Sequence, residues 1–347
     1  VAPFRFGVLP AATVSQRWRV DGPDMSRSVH NPLSLLFLAL IHYAAGFAAE
    51  WRIPPPIINP PPPIMIVGAG VLGRLAADEW RTAAAVSSGP AAEVACVVIG
   101  VVRKADEARD AELRAEGIAP RIRADVDASK DKYPYVLFCA SPGGNDDYAG
   151  SVKSALKLWD KDAPEGAFVF TSSAGVYAED AGGVVTEESP VDEESPRAAR
   201  LLEAEEAVIA AGGTVVRLAG LYLAERGAHN YWLTTENEIK QRPDGLINQI
   251  HYRDAARCAV AALLRGAPGD VLLAADDKPL TRAQICEEAR RAPKFADRPQ
   301  PTFSGDAETS GVGKVLDSSY TRESISWEPR FKTFADFVDM EMMTARR

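Results

Sequence analysis

Apolar residues follow two rhythms along this chain. Short, near-continuous apolar runs occur at Ile64–Val67, Val94–Val102, Tyr135–Ala140 and Ala167–Phe170, and each predicts a strand covered on both faces. Between them, apolar residues return every third or fourth position, which predicts helices over about 74–86, 106–116, 148–159 and 197–211. Breakers fall where these helices should end: Ser87-Ser-Gly-Pro90, Gly117 and Gly212-Gly213. Arg121–Asp125 reads as a further short strand between the second and third helices. In the fourth helix Leu201, Leu202, Val208 and Ile209 face inward, and Glu203, Glu205 and Glu206 form the wet face. Residues 178–195, rich in Asp and Glu, read as a solvated acidic loop. Strands alternating with helices predict an α/β fold with a doubly wound parallel sheet.

The first strand runs directly into Gly68-Ala69-Gly70-Val71-Leu72-Gly73, and a helix follows. A G-x-G-x-x-G turn between strand and helix is a place to set a pyrophosphate. Gly68 allows the turn, Gly70 admits the phosphates to the backbone, and Gly73 lets helix and strand pack. The free N–H groups of the first helical turn, Leu72 among them, face the anion. Such a turn in this context predicts a dinucleotide-binding Rossmann domain.

The end of the second strand selects the dinucleotide. A carboxylate there grips the ribose 2′-OH of NAD, whereas Arg accommodates the 2′-phosphate of NADP. This strand ends Val102-Arg103-Lys104. NADP(H) is therefore favoured over NAD(H), with Arg103 as main contact and Lys104 beside it; the alternative is a solvated Arg-Lys pair. The fourth strand opens through Cys139-Ala140-Ser141 into Pro142-Gly-Gly144, at the edge where open α/β sheets bind ligands.

Charge and composition narrow the partners. Of 347 residues, 48 are acidic and 39 basic, a net charge of −9 that opposes sequence-independent nucleic-acid binding. The four cysteines are far apart and the four histidines show no ligand spacing, so neither a disulfide framework nor a metal site is expected.

The first 63 residues read as a leader. Met25-Ser-Arg27, the roughly nine-residue apolar run Leu33–Ile41 and the small residues Ala44-Ala-Gly46 have the shape of a signal peptide. The run is too short for an integral membrane span, which needs about 20 residues. The expectation is a start at Met25, with 1–24 a non-native or disordered leader and 25–50 a targeting segment. Ala44-Ala-Gly-Phe47-Ala resembles the phenylalanine-centred junction of plastid proteins in algae with complex plastids, so a plastid destination is favoured over the cytoplasm. Residues 51–63 carry seven prolines, Pro54–Pro56 and Pro60–Pro63, and read as a stiff linker to a folded domain over 64–347.

Further segments resemble the extended and atypical short-chain dehydrogenase/reductases, the group of NAD(P)-dependent nucleotide-sugar epimerases and dehydratases. Phe170-Thr-Ser-Ser-Ala-Gly-Val-Tyr177, Thr214–Tyr222, Ile250-His251-Tyr-Arg-Asp254, Asp276–Thr281 and Ser326–Phe331 match that family's landmarks in order. The resemblance implies a Rossmann fold with a small C-terminal substrate lobe, built mainly from 222–250 and 278–340. It implies Ser173 as the catalytic hydroxyl, and a homodimer. The family's Y-x-x-x-K pair is absent: Arg197 stands at the Tyr position and Leu201 at the Lys position. Arg is a poor general acid, and Leu cannot polarise anything. Proton delivery would then fall to Tyr177 or water. Tyr222, His229 and Tyr231 are expected on a loop lining the substrate. The reading is an oxidoreductase or isomerase on a small polar, sugar-nucleotide-like substrate; the alternative is a catalytically silent NAD(P)H-binding sensor or assembly factor.

Overall fold

In a computed structural model, residues 62–88, 96–306 and 310–342 are described. The leader, the targeting segment and the proline-rich linker up to residue 61 lie outside these residues.

The chain opens with β1 (Ile64–Val67), α1 (Val71–Ser88), β2 (Val98–Val102), α2 (Glu107–Ala115), β3 (Ile118–Ile122) and α3 (Arg123–Ala128). It continues through β4 (Tyr135–Phe138), α4 (Tyr148–Leu156), β5 (Ala167–Ser173), β6 (Ala181–Val185), α5 (Pro196–Ala210) and β7 (Thr214–Leu218). Then come β8 (Gly220–Tyr222), α6 (Ala228–Thr234), β9 (Leu246–Ile247), β10 (Gln249–His251), α7 (Tyr252–Arg265) and β11 (Val271–Ala274). The last elements are β12 (Leu280–Thr281), α8 (Arg282–Arg290), β13 (Gly313–Leu316), α9 (Ser319–Ser324) and α10 (Phe334–Phe337).

The main sheet has seven strands in the order β3-β2-β1-β4-β5-β7-β11, every pair parallel. Strand order therefore reverses between β1 and β4. Right-handed crossovers then send the helices of the two halves to opposite faces. In keeping with this, α1 packs on α7 and α4 on α5. Burial on both faces explains why every residue of β1, β4 and β7 is buried and why β1 and β4 are unbroken apolar runs, although β7 also buries Thr214 and Arg217. The expected doubly wound parallel sheet is the observed one.

Several boundaries move, each for a physical reason. Gly117, at φ +73°, ends α2, so the buried Ile118 starts β3 and pairs with Val98. Pro120 is tolerated there because β3 is the sheet edge. Arg123 consequently opens a helix rather than continuing a strand, and its guanidinium meets Asp127 one turn on at 2.8 Å. The acidic stretch 178–195 is not a free loop. It contains β6, paired in parallel with β13, and Glu187 Oε1 accepts from the Thr321 backbone N–H at 3.2 Å and hydroxyl at 2.6 Å.

A second apolar cluster gathers Tyr222, Trp232, Leu233, Ile285, Phe295, Phe331, Phe334 and Phe337 beside the main core. Among the described residues, no helix is long and apolar enough to cross a membrane.

Candidate functional site

The carboxyl ends of β1, β2, β4, β5 and β7 open into one cleft of about 1520 Å³, astride the point where strand order reverses. Open α/β sheets bind ligands at this place.

Each glycine of the first turn is accounted for. Gly68 has φ +106°, and a Cβ there would lie 2.5 Å from Ala140 N. A Cβ on Gly73 would lie 2.3 Å from Gly68 O, so this residue lets α1 pack on the turn. A Cβ on Gly70 meets nothing within 4 Å, because Gly70 borders the open cleft. Arg74 N–H is the first to bond back along α1, to Gly70 O at 2.9 Å. The N–H groups of Val71, Leu72 and Gly73 thus lack intrahelical partners, and Val71 and Leu72 line the cleft. Space at Gly70 and unpaired donors beside it fit a pyrophosphate.

The other expected cofactor residues separate. Arg103 lines the cleft, and its guanidinium reaches the carbonyls of Gly143 and Gly144 at 3.4 and 3.5 Å. Lys104 is exposed outside the lining; its carbonyl accepts a bond from Arg109 at 2.5 Å. Cys139, Ala140 and Ser141 all border the cleft. The Cys139 thiol donates to Gly68 O at 3.3 Å, and burial pushes its pKa up to about 12, so it is a packing group rather than a nucleophile.

Ser173 ends β5 and lines the cleft. Its Oγ accepts the Gly175 N–H at 3.1 Å, which leaves the hydroxyl hydrogen available to donate. Tyr177, four residues on, does not reach the cleft. It is 3% exposed, its hydroxyl meets Glu187 O at 3.4 Å, and the Arg217 guanidinium lies 4.8 Å from its ring centroid. Burial pushes the phenol above its usual range, although Arg217 opposes this. The proton-delivering role expected of Tyr177 therefore has no access.

The same region corrects the reading of Glu205. It is 2% exposed rather than on a wet face. Arg217 Nη2 donates to its Oε2 at 2.7 Å, and the Ser172 hydroxyl donates to its Oε1 at 2.5 Å. The partner that makes burial tolerable sits on a different element.

The expected substrate trio is not gathered at the cleft either. Tyr222 and His229 are fully buried in the second apolar cluster, and Tyr231 is exposed on α6, a helix where a loop was expected. None of the three lines the cleft. Burial drives the His229 pKa down to about 4 and raises the Tyr222 phenol far above its normal range.

The lining instead includes seven arginines, two of them on α5: Arg74, Arg103, Arg109, Arg123, Arg197, Arg200 and Arg226. Three have carboxylate partners. Arg74 meets Glu112 and Glu116, Arg109 meets Asp110, and Arg123 meets Asp127. Arg200 binds the Pro142 carbonyl at 3.2 Å and that of Asn145, on the loop that Arg103 touches from the other side. Leu201 lines the cleft beside Arg197.

No protein-family model matches this sequence, and no curated protein matches it. Solved structures do match the fold. A functionally unknown conserved protein from Silicibacter pomeroyi aligns at TM-score 0.63 and 18% identity, over 80% of this chain and 97% of that one. UDP-glucuronic acid 4-epimerase from Bacillus cereus, solved with UDP-glucuronic acid and NAD, aligns at TM-score 0.64 and 14% identity, over 81% and 98%. The dTDP-glucose 4,6-dehydratase DesIV from Streptomyces venezuelae, with NAD and TYD bound, aligns at TM-score 0.64 and 16% identity, over 80% and 94%. The fold is that of the epimerases and dehydratases. At these identities the likeness concerns architecture, and the chemistry has to be argued from the cleft.

Proposed function

We propose that this protein binds NADP(H) along Gly68–Gly73 and Arg103 and acts as an oxidoreductase or isomerase of the short-chain dehydrogenase type on a small polar substrate. The observation that carries the reading is the cleft itself. An open, donor-rich glycine turn and the Ser173 hydroxyl border one space at the switch point of a parallel sheet. A bound nicotinamide would supply hydride exchange. Ser173, its oxygen tied to Gly175, would donate to the substrate oxygen and orient it. With Tyr177 buried, the exchanged proton comes from water.

NADPH and NADH titrated by fluorescence test the binding half of this reading. Arg103→Asp should weaken NADPH far more than NADH, and equal weakening would remove the 2′-phosphate argument. Cofactor oxidation screened against aldehydes, ketones and nucleotide sugars tests the chemistry. Binding without turnover would sink the enzyme reading. It would favour the second reading, a silent nicotinamide-nucleotide sensor, for which the placement of Arg197 and Leu201 in the cleft speaks. The leader is proposed to direct the protein to a plastid, and a fluorescent fusion of residues 25–63 that stays in the cytoplasm would refute it.

A further inference from the structure

The cleft arginines divide by what already holds them. Arg74, Arg109 and Arg123 are neutralised by carboxylates, and Arg103 and Arg200 hold loop carbonyls. Arg197 and Arg226 form no ion pair among the described residues; Arg226 only overlies the Tyr252 ring at 5.9 Å. Both belong to the half of the cleft built by β5 and β7. Arg197 is the second residue of α5, which packs on both strands, and Arg226 lies in the segment following β8, just beyond β7. Ser173 pairs in register with Leu218 in that same half. Among the described residues, the carboxylates in the lining are two, both engaged: Asp127 with Arg123, and Asp147 as the N-cap of α4. Two guanidinium groups without an ion pair among the described residues thus line the same cleft as Ser173, in a chain of net charge −9. Guanidinium forks match carboxylate and phosphate oxygens with paired hydrogen bonds, and a walled cleft strengthens the attraction.

We infer that Arg197 and Arg226 bind an anionic group, a carboxylate or phosphate, carried by the substrate close to its reacting carbon. Resting on the proposed cofactor reading, this makes the substrate class an anionic alcohol or carbonyl compound. It also gives Arg197 a binding task at the position where the resembling family has its proton donor.

The test uses the full chain saturated with NADPH, titrated calorimetrically with oxalate and, separately, inorganic phosphate. The arm that binds more tightly identifies the anion. Arg197→Gln and Arg226→Gln should each raise the dissociation constant of that anion by about 10- to 150-fold, with the NADPH constant unchanged. Absence of binding by either anion below about 10 mM, or equal binding by the variants, overturns the inference. The same titrations without cofactor keep the two readings apart. Arginine-dependent anion binding in a protein that ignores NADPH would refute the cofactor alone. NADPH binding with no arginine-dependent anion site would refute the anion pair alone.

Discussion

Gly70→Ala and Gly68→Ala differ by one methyl group each, yet the structure assigns them opposite consequences. At Gly70 the backbone does not have positive φ, and an added Cβ meets no atom within 4 Å. Loss of a glycine before α1 should cost the fold less than about 1 kcal/mol. The methyl would, however, stand where the pyrophosphate approaches the Val71 and Leu72 N–H groups. Losing one charge-assisted hydrogen bond removes about 1.5–3 kcal/mol, which is about 10- to 150-fold in NADPH affinity. At Gly68 the methyl would lie 2.5 Å from Ala140 N, on a residue at φ +106°. Strain and overpacking together predict about 2–6 kcal/mol of lost stability. Urea denaturation reads the stability of both variants, and fluorescence titration reads NADPH binding by the one that folds. A stable Gly70→Ala protein that binds NADPH like the wild type would refute the cradle. Equal destabilisation of the two would refute the packing account beneath it.

Other predictions address the groups around Ser173. With a substrate in hand, Ser173→Ala should lower turnover by about 100-fold or more, while Tyr177→Phe should leave it nearly unchanged; a comparable loss in Tyr177→Phe would restore the phenol as a proton donor. Glu205→Ala leaves Arg217 buried without its carboxylate and should cost about 3–5 kcal/mol by urea denaturation. Combining Glu205→Leu with Arg217→Met should recover most of that loss, and no recovery would mean the geometry of the pair matters beyond its charge. Burial lowers the pKa values of His229 and His251 to about 4, below the ordinary value of 6.5. Their depressed folded values mean that the unfolded chain takes up these protons first. Stability is therefore full above about pH 6.5 and falls toward pH 4, by up to about 1.4 kcal/mol per pH unit for each histidine. Asp276, raised by burial, works in the opposite direction, withdrawing stability as pH rises from its unfolded value. Subtracting the His229→Phe thermal profile from the wild-type one isolates one histidine, and identical slopes from pH 6.5 to 4 would contradict its buried neutral state.

The parallel sheet was legible because its strands are buried on both faces and show as apolar runs, and the glycine turn because its spacing carries its own geometry. What escaped were properties that depend on pairing across the chain. Glu205 lies four residues after Leu201 and three before Val208, on the buried stripe of α5; its charge alone argues for solvent, and Arg217 on β7 makes its burial intelligible. Glu187 looks solvated until Thr321, far along the sequence, donates to it. The four-residue spacing from Ser173 points Tyr177 to the cleft, but the short turn Ala174–Val176 after β5 sends it into the core. The cleft arginines are scattered between 74 and 226, with Arg197 and Arg200 alone sharing a helix turn, so no local cluster announces the set. His229 and Tyr222 carry polar groups common at binding walls, yet four phenylalanines claim the space around them.

The loop after β4 is fastened from two sides, by Arg103 at the end of β2 and by Arg200 on α5. The contacts on the Arg103 side, at 3.4 and 3.5 Å, are long for hydrogen bonds and involve an uncharged acceptor. A phosphate arriving at Arg103 offers a shorter, charged partner. On the proposed reading, occupancy of the cleft and slackening of this loop would be one exchange reaction, in which the incoming anion replaces a carbonyl as the partner of Arg103. Exposed side chains change rotamer in picoseconds to nanoseconds, so that exchange would draw on the affinity of the cleft for a dinucleotide and not on its rate of entry.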